Sequence, residues 1–212
     1  MTEQEEQLEN LTEIRNLMER STRFISLSGL SGISAGICAL VGAGIAYRYF
    51  DYNAYFPNFY HHIFTEAELI RMDFLQFLFT LSAGVLISAL GLGILFTWRR
   101  TKQKGGSLWN SSTRRLLFHL AIPLITGGLF CIILLLHGEV YMVPATTLVF
   151  YGLALINASK YTLNDIQYLG ISEIILGLIA SIYVGYGLVF WAMGFGVLHI
   201  VYGTVMYFKY ER

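Results

Sequence analysis

Charge is what this 212-residue chain has least of: 13% of its residues are Asp, Glu, Lys or Arg, against 55% that are hydrophobic. So few charged groups cannot clothe so apolar a chain in a water-facing shell, which excludes an ordinary soluble domain. There are only three prolines and two cysteines, so Pro-rich linkers and a disulfide framework are also excluded. Cys38 and Cys131 fall inside apolar runs and read as small fillers. Walker, dinucleotide-fingerprint, kinase, HExxH and paired-cysteine patterns are missing as well. The zero net charge gives no reason to expect a nucleic-acid partner.

What is there in abundance is length of apolar run. Six stretches divide the chain: Leu27 to Tyr49, Phe74 to Trp98, Leu116 to Leu136, Tyr141 to Ser159, Gln167 to Tyr186 and Leu188 to Phe208. About 20 apolar residues in a helix match the roughly 30 Å hydrocarbon core of a bilayer. The expectation is an all-α integral membrane protein, a bundle of six transmembrane helices over residues 24–212, preceded by a cytoplasmic segment 1–23.

Basic residues set the expected orientation. If the spans alternate, Arg15, Arg20, Arg23, Arg99, Arg100, Lys102, Lys104, Arg114, Arg115, Lys160, Lys209 and Arg212 share one side, and only Arg48 and Arg71 fall on the other. The positive-inside rule then places both termini in the cytoplasm. The acidic start lacks the basic, then apolar, pattern of a cleavable signal, and a bacterial inner membrane is the default location. Within residues 1–23, Leu8, Leu11, Ile14, Leu17 and Met18 recur at helical spacing among six glutamates. An amphipathic helix with so acidic a polar face suits packing on the cytoplasmic loops, or on another copy, better than binding an anionic leaflet.

The gap after the first run carries Phe50, Tyr52, Tyr55, Phe56, Phe59, Tyr60 and Phe64, a composition suited to a membrane interface. Pro57 interrupts any helix there, and Thr65 with Glu68 forms a capping box. On the same side, His61, His62 and Glu66, joined by His137 and Glu139 from the gap after the third run, are the candidate metal ligands. Their donor types suit a transition metal, although their spacing is not diagnostic.

Inside the spans, Glu173 is the one deeply placed carboxylate. Such a group costs on the order of several kcal/mol unless it is neutral, paired or wet, so it should point into the bundle. Gly170 and Gly177 share its helical face, and Gly196 and Gly203 flank His199 at the same spacing in the sixth span. The few residues around Gly185 to Gly187 force these spans into an antiparallel hairpin. Counting about 1.5 Å per residue puts Glu173 roughly 10 Å and His199 roughly 13 Å from the cytoplasmic end. His119 and Asn157 lie near that end of the third and fourth spans, so the candidate inner polar pocket is Glu173, His199, His119 and Asn157.

Gly32 and Gly36 lie on a small-residue face of the first span, and Gly84, Ser88 and Gly91 offer a complementary stripe on the second. That pairing is expected, with a second copy or another membrane protein as the alternative partner. Three function classes follow. The leading one is a small transporter or channel handling protons, cations or a small solute through the inner pocket. Next is a noncatalytic scaffold or sensor, and last a haem or metal enzyme using His119 and His199 as axial ligands. The sequence names no cofactor beyond these alternatives.

Overall fold

The computed structural model describes residues 27–52, 72–105 and 107–212. Expectations for the amphipathic segment 1–23, for the aromatic and proline-containing gap beyond Tyr52, and for His61, His62 and Glu66 therefore lie outside the described residues, while Phe50, expected in that gap, lies within the first helix and is buried. Among the described residues the chain is helical, with six helices long and apolar enough to cross a membrane. We label them α1 (Gly29–Tyr52), α2 (Met72–Gln103), α3 (Ser111–Leu136), α4 (Val143–Ser159), α5 (Asp165–Ile182) and α6 (Gly187–Tyr210). A 3-10 turn, Val140–Met142, leads into α4, whose Pro144 falls in the first turn, where a missing N–H costs nothing. The four-residue turn from α5 to α6 carries Gly185 at φ +103°, a conformation that glycine adopts without penalty.

Two close antiparallel pairs organise the bundle. In the first, α1 lies on α6: a Cβ on Gly32 would come within 3.1 Å of the Gly203 Cα, and one on Gly36 would press on the backbone around Gly196 and Ile200. In the second, α4 lies on α5, where Gly152 and Gly170 face each other backbone to backbone and Gly177 sits over Ala145 and Leu148. Small residues permit this approach, and the closeness lets dispersion contacts accumulate along both helices. The glycine face of α1 is thus spent on α6. Gly84 and Gly91 of α2 have open space where a side chain would be. The expected pairing of those stripes gives way to a different α1–α2 contact, made by Gly42 on Val85 and by the Tyr49 and Phe77 rings stacked 3.6 Å apart.

Helix α2 packs along α1, and α3 packs along α4, so these two form the flanks. Gly127 receives the Phe150 ring of α4. No residue in the most apolar window of α2 is buried, and Ile87 and Ile94 are 70% and 63% exposed. Apolar surface on this scale needs a non-aqueous cover. Clusters of buried side chains close the two ends: Ala46, Phe50, Phe74 and Val140 at one, and Leu116 and Ala158 with Leu27 and Leu108 at the other.

Candidate functional site

Glu173 projects from α5 towards α4 and α6 and is fully buried, with 0% of its surface exposed. Its carboxyl occupies the space that a side chain at position 194 would need: a Cβ on Gly194 would overlap Oε2 and the Leu148 methyl. Leu148 beside it belongs to an apolar cluster with Ala145, Ala180, Leu176, Phe190 and Phe195. Neither carboxyl oxygen has a hydrogen-bond partner among the described residues. His199 Nδ1 lies 3.4 Å from Oε1.

That Nδ1 is engaged elsewhere, donating to the Gly194 carbonyl at 3.0 Å. A carbonyl can only accept, so in the neutral ring Nδ1 carries the proton, and Nε2 accepts from the Tyr151 hydroxyl at 2.8 Å. The local backbone explains the reach. Residues Ala192–Leu198 form a π segment within α6, and its wider turn sets a side chain against the carbonyl five residues back instead of the usual four. Gly194 and Gly196 lie inside that segment and serve opposite faces, Gly194 making room for Glu173 and Gly196 for Leu40 of α1. Tyr151, His199, Phe195 and Trp191 continue as a contiguous aromatic row.

Compared with known proteins, the chain matches no family model, no curated protein and no solved structure. The reading of the site therefore rests on its own chemistry.

His119 and Asn157 belong to a separate network. Asn157 Nδ2 donates to the His119 backbone carbonyl at 2.8 Å, joining α4 to α3, while His119 Nε2 meets the Tyr161 hydroxyl at 2.9 Å with the rings stacked. Asn157 lies six residues beyond Tyr151 on α4, about 9 Å along the axis, and the two networks share no hydrogen bond. The structure thus brings Glu173 to His199, and His119 to Asn157, as two groups. Of the other candidates, His137 Nδ1 bonds the Ile133 carbonyl of its own helix, and Glu139 accepts from the Tyr141 hydroxyl. No metal-holding group of three His, Cys, Asp or Glu occurs among the described residues.

Two residues of the Glu173 site escaped the sequence reading. Tyr151 was one aromatic among many, and Gly194 stands five residues from His199, outside the three- and four-residue spacing of an α-helical face. A third feature went unread at the end of the bundle where α1 begins and α6 stops. Arg100 of α2, 5% exposed, donates to Glu211 at 2.8 Å, to the Tyr210 carbonyl at 2.9 Å and to the Leu27 carbonyl. Glu211 in turn accepts from the Ser28 hydroxyl and the Gly29 N–H, the first amide of α1. Next to it, Asp165 at the start of α5 accepts from Tyr210 at 2.6 Å and from Lys209 at 3.0 Å. Burial and the Arg100 charge together push the neighbouring Lys104 ammonium below its ordinary value. This clasp ties the end of α6 to α1, α2 and α5.

Proposed function

We propose that the chain is an integral membrane protein whose six apolar helices cross a bacterial inner membrane with both termini in the cytoplasm, and that it moves protons, cations or a small solute through the Glu173 site. One observation carries this reading: a fully buried carboxyl with no hydrogen-bond donor on either oxygen among the described residues. A charge left there uncompensated is costly, so it must be met by a proton, a bound cation or a protonated His199. A site that needs a counter-charge and offers no permanent one is suited to taking it up and releasing it. The break in regular winding of α6 beside the site adds support, because π segments often accompany functional positions. The test is flux of protons and simple cations into proteoliposomes, with Glu173→Gln as the comparison. Wild-type flux that the variant loses while remaining folded is the expected result, and equal flux from both would remove Glu173 from the reading.

A scaffold is the second reading, favoured by the uncovered face of α2, where Gly84, Ser88 and Gly91 are exposed. It expects crosslinks between cysteines placed at Gly84 or Gly91 and another chain in native membranes. A haem enzyme is the remaining alternative, and a purified sample without a Soret band would end it.

A further inference from the structure

Building on the transport reading, we infer that the ligand of the Glu173 site is a proton and not a metal cation, and that Tyr151 and His199 are the groups through which it reaches the carboxyl. A hard cation gathers about six or more oxygen ligands. Glu173 brings its own two oxygens, and the Gly194 carbonyl and Tyr151 hydroxyl that flank its neighbour His199 are already engaged in holding that ring. A softer metal would take imidazole nitrogen, but both nitrogens of His199 are hydrogen-bonded. Leu148 at the carboxyl, and the apolar cluster it joins with Ala145, Ala180, Leu176, Phe190 and Phe195, add no side-chain ligand atoms. A proton needs one oxygen and no coordination shell.

Tyr151 of α4 is half-buried as a residue, with its hydroxyl end enclosed, while His199 of α6 keeps 6% exposure and Glu173 of α5 none. On the opposite side of α6, α1 contributes Gly32, Gly36 and Leu40, none of which titrates. Tyr151 faces Nε2 and Glu173 faces Nδ1, so the imidazole lies between donor and acceptor. A proton arriving on the Tyr151 oxygen releases that residue's own O–H proton to Nε2, forming the imidazolium. The Nδ1 proton then leaves the Gly194 carbonyl and passes to the ionised Glu173 Oε1, 3.4 Å away. Glu173 ends as the neutral acid, His199 as the neutral Nε2–H tautomer and Tyr151 unchanged, so one proton has moved inward and every atom is accounted for. Reversal of the same steps empties the site towards Tyr151, and net flux requires the loaded site to open to the other face before the proton leaves.

The experiment uses the full chain in proteoliposomes under imposed proton, Na⁺ and K⁺ gradients, together with infrared titration of protonated carboxyl groups. Wild type, Glu173→Gln, His199→Gln and Tyr151→Phe are compared. Proton flux in wild type should fall about tenfold or more when the relay is cut. A carboxylic C=O band that titrates in wild type should be missing from Glu173→Gln. Tyr151→Phe keeps the ring packed and removes only the hydroxyl, so it carries the test if the carboxyl variant fails to fold; undiminished proton flux in it would overturn the relay. Flux of Na⁺ or K⁺ that ignores the proton gradient would overturn the proton assignment and leave transport standing. A titrating band without flux of any ion would support the proton site and overturn transport, and neither band nor flux would overturn both.

Discussion

Glu211 and Glu173 are both carboxyls withdrawn from solvent, with 13% and 0% of their side chains exposed, yet their surroundings are opposites. Glu211 is met by a guanidinium, a hydroxyl and a helix-terminal N–H. Glu173 is met by apolar side chains and by one histidine whose nearer proton is turned aside. The first arrangement compensates its charge permanently and joins three helices, α1, α2 and α6. The second offers no permanent compensation among the described residues. Burial of an acid therefore says little about its role until its donors are counted.

The difference is most easily broken at the clasp. Arg100→Leu should cost about 3–5 kcal/mol, because Glu211 and two backbone carbonyls lose their donor together. Unfolding in mixed detergent micelles is the measurement, and a loss below about 1 kcal/mol would show that water reaches the site and screens it. Gly194→Ala comes next, at about 1–3 kcal/mol, since its methyl must displace the Glu173 carboxyl or Leu148 from a packed interior. The displacement should also alter the Glu173 infrared band, which the loss of the clasp should not. Asn157→Ala should cost about 1 kcal/mol for one bond between α3 and α4 and leave proton flux unchanged, because it belongs to the separate network. Lys209→Ala should cost less than about 1 kcal/mol, as that side chain is 53% exposed. Glu173→Gln stands at the end of the scale with no cost or a small gain, since an amide of the same shape avoids burying an ion. A large loss there would mean that Glu173 is a structural group after all.

The positions of the six helices were legible because apolar length is a strong signal that survives without knowledge of neighbours. The facing of Glu173 into the bundle followed from the cost of any other direction. Other features needed contacts that sequence spacing does not encode. Small-residue stripes carry no address, so Gly32 and Gly36 matched the α2 stripe as well on paper as they match Gly203 and Gly196 in space. Reading His199 at about 3.6 residues per turn pointed to Gly196 and Gly203, whereas the wider π turn selects Gly194. Arg100 and Glu211 are more than a hundred residues apart, and each reads locally as one more charge beside an apolar run. His119 and Asn157 were legible as polar residues near one end, but the tyrosine that completes their network came from the following loop.

Helix α2 is 32 residues long, about 48 Å from end to end, while a bilayer offers roughly 30 Å of hydrocarbon. In the proposed membrane setting such a helix must lean or project, and how far it leans depends on the acyl chains around it. Its last turns hold Arg100, whose side chain is fixed to both ends of the helical bundle at Leu27 and Glu211. Thinning the membrane would therefore pull on the clasp through α2, as a lever pulls on its fulcrum. In lipids of graded chain length, the cost of Arg100→Leu should change with bilayer thickness, while that of Asn157→Ala should stay constant.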